Sequence, residues 1–229
     1  MKLPIKLTLA VLVLCSAVWA DTTENFNDIT TLAGAGWVMV NNSNPAGSTG
    51  WFQGDPSVFS AQSGAPDSYI AANFNNAGFG GNVSNWLITP EMTLFNGEVV
   101  SFYARTEPGG SIFNDGLELR LSTNGASTNV GATDSSVGDF TTLLLSINAS
   151  QNGSFPEDWT LFTATISGLS GSGTAARIAL RYDVTDTSVN GDYIGVDHFS
   201  VPEPSSTALA LIGVGFIGIS LLRYKPRLA

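Results

Sequence analysis

Through the middle of the chain, apolar and polar residues alternate in short runs. In 117–121, Leu117, Leu119 and Leu121 fall on one side and Glu118 and Arg120 on the other. A period of two is that of a strand with one face in a core. The run 160–167 groups Phe162, Ala164 and Ile166, and the run 177–184 groups Ile178, Leu180, Tyr182 and Val184. The second run predicts that Arg177, Arg181 and Asp183 face water. Residues 99–105 are rich in β-formers, and 193–201 predict a last strand. Clusters of Gly and Asn, such as 78–82 and 168–173, mark turns between the runs. No amphipathic helix pattern precedes the tail. Many short strands divided by such turns predict one all-β domain, a β-sandwich over residues 21–201.

The two ends carry a different pattern. Residues 1–20 read as a signal peptide: Lys2 and Lys6 come first, an apolar run covers 7–14, and Val18, Trp19 and Ala20 supply a cleavage site for signal peptidase between Ala20 and Asp21. Cys15 follows Leu14, where a lipidated cysteine is normally preceded by a small residue, so the ordinary signal fits better. Residues 202–229 form a tail in three parts. Pro202, Glu203 and Pro204 come first, then an unbroken apolar run over 207–222, then a basic end with Arg223, Lys225 and Arg227. As a helix the apolar run reaches about 24 Å, close to the hydrocarbon thickness of a bilayer. It predicts a transmembrane helix in the inner membrane, with the basic end in the cytoplasm and the sandwich outside. The two prolines keep the tripeptide extended, with its backbone open to a processing enzyme. Gly213, Gly215 and Gly218 match a dinucleotide fingerprint, but inside the apolar run they lack the required strand and turn.

This tail resembles the PEP-CTERM sorting signal of Gram-negative bacteria. The resemblance implies that Pro202, Glu203 and Pro204 are read by an exosortase, a membrane cysteine transpeptidase that removes the helix. A plain membrane anchor with a proline break is the alternative. The domain carries a second resemblance. Glu24, Asn25, Phe26, Asn27 and Asp28 lie near its start, followed in order by the runs 85–90, 100–103, 117–122 and 193–201. Together they resemble the choice-of-anchor J domain, related to cleaved-adhesin and MAM-type jelly rolls. That implies a jelly-roll-like sandwich and a surface or extracellular binding module, with no enzymatic activity. The expected path is export, an inner-membrane-anchored precursor, and then the cell envelope, cell surface or medium.

Charge narrows the partners. Residues 21–201 hold four arginines, no lysine and eighteen carboxylates, a formal charge of −14. Such a domain repels nucleic acid and anionic lipid, and is compatible with cations or neutral glycans such as an exopolysaccharide. Cys15 is the only cysteine and His198 the only histidine, which excludes disulfides in the domain and a zinc site of several His or Cys ligands. His198 and Asp197 are neighbours in a strand, so their side chains diverge and form no catalytic pair. Glu157 with Asp158, and Asp183 with Asp186, are pairs a glycan hydrolase could use, but both stand beside turns where Asp serves the backbone.

Aromatics offer another route to ligands. Trp86, in an apolar run, is expected in the core. Trp51 and Phe52 follow Gly47, Ser48, Thr49 and Gly50, and are candidates for a ligand-binding loop. The jelly-roll resemblance implies a metal between first and last strands, with Glu24, Asp28 and Asp197 as candidate calcium ligands. Asp197 lies among Val196, Phe199 and Val201, where its charge needs a metal, a backbone N–H or Arg181. The function expected is a non-enzymatic surface or matrix protein sorted by an exosortase system. A carbohydrate-binding protein is the alternative, with a glycan hydrolase behind it.

Overall fold

A computed structural model describes residues 22–109, 113–153, 155–171 and 173–202. Ala20, Asp21, Glu203, Pro204 and the apolar run 207–222 lie outside the described residues. Among the described residues no helix is long and apolar enough to cross a membrane.

Among the described residues, thirteen strands and two short 3-10 turns make up the fold. The strands are β1 (Thr22–Glu24), β2 (Val38–Asn41), β3 (Asn44–Ala46), β4 (Phe52–Gln53), β5 (Ile70–Asn73), β6 (Ala77–Ile88) and β7 (Met92–Leu94). They continue as β8 (Val99–Thr106), β9 (Leu117–Ser122), β10 (Thr142–Ile147), β11 (Thr160–Thr165), β12 (Thr174–Val184) and β13 (Tyr193–Val201). One sheet runs β11-β8-β13-β5-β4, with β1 also on β13. The other runs β10-β9-β12-β6-β2, with β3 on β6 and β7 on β12. The strand pairs are antiparallel, and the two sheets form the β-sandwich that the alternating runs predict.

The inward faces meet as the patterns require. Val100, Phe102, Ala104, Ile194, Val196 and Phe199 of the first sheet share one buried cluster with Leu87, Leu119, Leu121, Ile178, Leu180 and Tyr182 of the second. Their burial removes apolar surface from water on both sheets at once, which is what holds two sheets face to face.

The outward faces depart from the pattern. On the second sheet, the connection between β9 and β10 folds back, and its Val130 and Phe140 cover Trp86, Ile88 and Ala179. On the first, the connection between β4 and β5 brings Phe59 against Tyr69 and Tyr193, with Trp159 beside them. Each sheet is therefore buried on both faces near its centre. Arg181 is only 5% exposed rather than wet. Its guanidinium lies over the Trp86 ring, pairs with Glu118 at 3.0 Å and Asp183 at 3.1 Å, and donates to Ser84 Oγ and the Asp134 carbonyl. A buried guanidinium needs that many acceptors, because an unmet donor in the interior costs most of its lost hydration.

Register defines two ends. Thr22 faces Val201, so both termini of the domain leave from one end. At the other end Tyr193 faces Asn73, Ile194 faces Thr106, Leu117 faces Tyr182 and Val83 faces Val184. The 3-10 turn 74–76 with the start of β6, residues 113–116 and the connection 185–192 lie at this distal end.

Candidate binding surface

The distal connections are tied together by backbone bonds. Phe74 opens a 3-10 turn, Phe74–Asn76, that the Asn73 side chain caps at the N–H of Asn75. The N–H of Phe74 reaches the Asp192 carbonyl at 3.0 Å. Thr187 donates its N–H to the Gly81 carbonyl and its hydroxyl to the Gly78 carbonyl, so the 185–192 connection straddles Phe79. Gly191 donates to the Asn114 carbonyl, and Asn114 bridges Asn190, which brings in the segment beginning at Phe113.

This end leaves apolar side chains in water. Phe79 is 90% exposed, Val189 56%, Phe113 46% and Phe74 42%. Isolated exposed apolar residues are ordinary. Four from three segments, converging on one end of a sandwich, make a patch of the kind that marks contact with a partner. Phe79 stands between Gly78 and Gly80, and Gly80 has a φ of 72°, a backbone that L side chains rarely adopt. The start of β6, where the sequence predicts a turn, therefore presents the ring without neighbouring side chains to cover it.

A buried acid braces the patch from below. Asp115 accepts from Thr106 Oγ1 and the Tyr182 hydroxyl, both at 2.6 Å, and from the N–H of Asp192 at 2.8 Å. Burial pushes its carboxyl up to about 6 even against those hydrogen bonds. Asp192 is pushed up to about 8, first by burial and then by the carboxyl of Glu107 beside it. Strands β8 and β12 and the distal connection thus meet on one acidic cluster whose carboxyls are held above the usual range.

The residues singled out from sequence occupy other places. Trp51 is 6% exposed and lies in the core between the sheets, where it presents no ring to a ligand. The turn residues before it are real, but the next side chain points inward. Phe52 begins β4, is partly buried, and meets Tyr193 edge to face at 5.7 Å. Trp86 is fully buried, as expected.

The three candidate calcium ligands serve backbone groups. Asp28 caps the Ile29–Thr31 turn, accepting from the N–H and hydroxyl of Thr30. Glu24 accepts the N–H of Phe26 at 2.8 Å. Asp197 is fully buried and accepts N–H groups from Gln62 at 3.0 Å, Ser63 at 3.2 Å and His198 at 2.7 Å. Burial pushes its carboxyl up, and these amides oppose the shift. Among the described residues no three or more His, Cys, Asp or Glu side chains gather to hold a metal. Each candidate serves a peptide N–H, Glu24 through Oε1, Asp28 through Oδ1 and Asp197 through both oxygens. Among the partners open to Asp197, backbone N–H groups are present three times over. Asp197 fastens the 54–68 connection to β13, together with Trp159 Nε1 on the Ser60 carbonyl and Arg105 over the Phe59 ring.

Two of the carboxylates a glycan hydrolase could use are engaged locally. Asp186 binds Ser188 locally, and Asp183 pairs with Arg181. His198 Nδ1 lies 2.7 Å from Asn25 Oδ1, on a residue with a φ of 49°.

At the other end of the sandwich, Pro202 follows β13 directly. The family model of the PEP-CTERM protein-sorting motif matches residues 200–223. The chain carries a PEP-CTERM sorting motif. That motif implies export, sorting to the cell surface and an exosortase-type sorting partner. The fold has solved counterparts in Lys-gingipain from Porphyromonas gingivalis. Its K1 cleaved adhesin domain is 18% identical, with 81% of this chain and 99% of that chain covered at a TM-score of 0.56. The K2 cleaved adhesin domain is 21% identical over 81% and 99%, at 0.54, and the K3 domain 17% identical over 81% and 100%, at 0.51. At these identities the likeness is one of fold. No curated protein matches the chain.

The patch of Phe74, Phe79, Phe113 and Val189 was not among the sequence candidates. A phenylalanine set between glycines, 78–81, was its one legible signal, although the turn predicted there is the irregular start of β6.

Proposed function

We propose that the chain is a non-enzymatic binding module of the choice-of-anchor J type, held to the envelope by one end of its sandwich and taking its ligand at the other. The observation that carries this reading is polarity: Thr22 and Val201 pair at the end where the sorting motif departs, and the exposed phenylalanines lie at the opposite end. An anchored domain needs its contact surface away from the anchor. Pro202, Glu203 and Pro204 are the processing signal in this reading, and the apolar run 207–222 holds the precursor in the inner membrane until it is cut. Signal peptidase removes residues 1–20.

The ligand class is a neutral polysaccharide of the surrounding matrix. Exposed aromatic rings stack on sugar faces without needing charge. A domain of charge −14 disfavours nucleic acid and anionic polymers. No catalytic role is assigned, because the one histidine and its neighbouring aspartate are bound to an amide and to the backbone.

The test is binding of the exported protein to insoluble neutral and anionic polysaccharides. Neutral polymers are expected to retain it, with retention weakened roughly tenfold by Phe79→Ala and left unchanged by Leu161→Ala, an exposed apolar residue on β11. Release of sugar would overturn the non-enzymatic assignment. Equal retention of both variants would remove the distal patch from the binding surface.

A further inference from the structure

The sandwich and the sorting motif share residues. The motif match begins at Ser200, while β13 runs to Val201. Phe199, Ser200 and Val201 face Glu24, Thr23 and Thr22 of β1, and Ser200 also faces Ser101 of β8. The hydroxyls of Thr23 and Ser200 are 3.3 Å apart. Phe199 and Val201 are buried, and the Phe199 ring meets Trp37 edge to face at 5.5 Å. Pro202 follows without a spacer. An enzyme that reads an extended peptide pairs with its backbone as an added strand and takes alternate side chains into pockets. Just before the tripeptide, backbone and side chains alike are already committed to the sandwich. Pro202 itself offers no N–H.

This stretch is also paired less regularly than the rest of β13. The register against β8 shifts between Asp197 and Ser200, around His198 at its φ of 49°. Beyond that bulge the strand pairs with the three-residue β1, from the start of the domain, and with β8 at Ser200 alone. Terminal strands open locally at lower cost than central ones. Asp197, fixed by three peptide N–H groups, marks where such an opening stops.

We propose that residues 199–201 must peel away from β1 and β8 before the tripeptide can be processed, so that the β1–β13 pair gates maturation of the tail. The proposal rests on the reading of Pro202, Glu203 and Pro204 as a processing signal. Opening exposes the backbone of 199–201 to the enzyme at the cost of withdrawing Phe199 and Val201 from the core. Closing it again after the cut seals the mature domain, with its first strand latched on its last. The cut itself breaks one peptide bond at the tripeptide. The acyl side passes to the enzyme's thiol and then to water or an amine, and the tail leaves with the new amino group.

The experiment follows maturation of the full-length chain by pulse-chase in a host with a matching exosortase. Thr23→Cys with Ser200→Cys places a disulfide across the facing pair; the one native cysteine, Cys15, lies in the leader. In the oxidising envelope the bridged chain should persist as precursor roughly tenfold longer than wild type. A reductant should restore its processing, which separates a locked gate from a misfolded chain. A flexible spacer of about ten residues between Val201 and Pro202 should shorten the precursor lifetime and rescue the bridged chain. Equal lifetimes for wild-type, bridged and spacer chains would overturn the gate. Replacement of Pro202, Glu203 and Pro204 by alanine tests the underlying reading separately: normal maturation of that variant removes the processing signal, whatever the gate does.

Discussion

At the scale of single residues, Arg181 shows how one side chain joins two layers. Its alternation along β12 puts it outward, where a solvated arginine would contribute little. Covered by the β9–β10 connection, it instead satisfies Glu118, Asp183, Ser84 and the Asp134 carbonyl over the Trp86 ring. The two arginines beside Glu118 hold its carboxyl below the usual range even though burial opposes them. Removing one partner of a buried pair strands the other. Arg181→Leu is therefore expected to cost about 3–5 kcal/mol, read as a lower denaturant midpoint with an unchanged slope. Gly195 makes a steric case in the other sheet: a Cβ there would lie 2.8–2.9 Å from the rings of Phe59, Trp159 and Tyr69. Neither role is legible in sequence, because the atoms involved come from distant segments.

At the scale of elements, the two covering connections decide how much of each sheet is wet. The 54–68 connection has no strand or helix periodicity, and its place is set by a few attachments: Asp197 on Gln62 and Ser63, Trp159 on Ser60, and Tyr69 and Tyr193 on Asp55. Asp197→Asn keeps the size but leaves an amide donor facing peptide N–H groups. Amide hydrogens of Gln62 and Ser63 should then exchange at least about tenfold faster, while those of β12 keep their protection. Unchanged exchange would mean that the aromatic contacts alone hold the connection. The strands themselves were legible: the runs at 117–121, 160–167 and 177–184 are β9, β11 and β12, with their apolar members inward. A period of two reports which side of a strand is apolar. It is silent on whether the polar side meets water or a folded-back connection.

At the scale of the whole molecule, charge and buried acids act together. Asp115 and Asp192, at about 6 and about 8, hold protons in the folded state that the unfolded chain releases near pH 4. Between those limits the native state binds more protons, so stability falls as pH rises through the window and is fully present below it. Mutual repulsion within a domain of charge −14 acts in the same direction. Carboxylates held low, such as Glu118, oppose this only toward the acid end, once protonation reaches them. The melting temperature should be higher at pH 5 than at pH 8 at constant ionic strength, and Asp192→Asn should reduce the difference. A melting temperature that rises from pH 5 to pH 8 would contradict the assignment of these protons.

By itself, the sequence determined the all-β class, the inward faces of the main strands and the sorting motif at the tail, because each is written in local order: a period of two, or a tripeptide followed by an apolar run and a basic end. The tertiary structure alone decided that Trp51 is core, that Arg181 is buried, that Asp197 binds peptide groups 134 and 135 residues away, and that Phe79 is left in water. Those outcomes depend on which connection folds over which sheet. Contacts between residues so far apart in the chain leave no periodic trace in it.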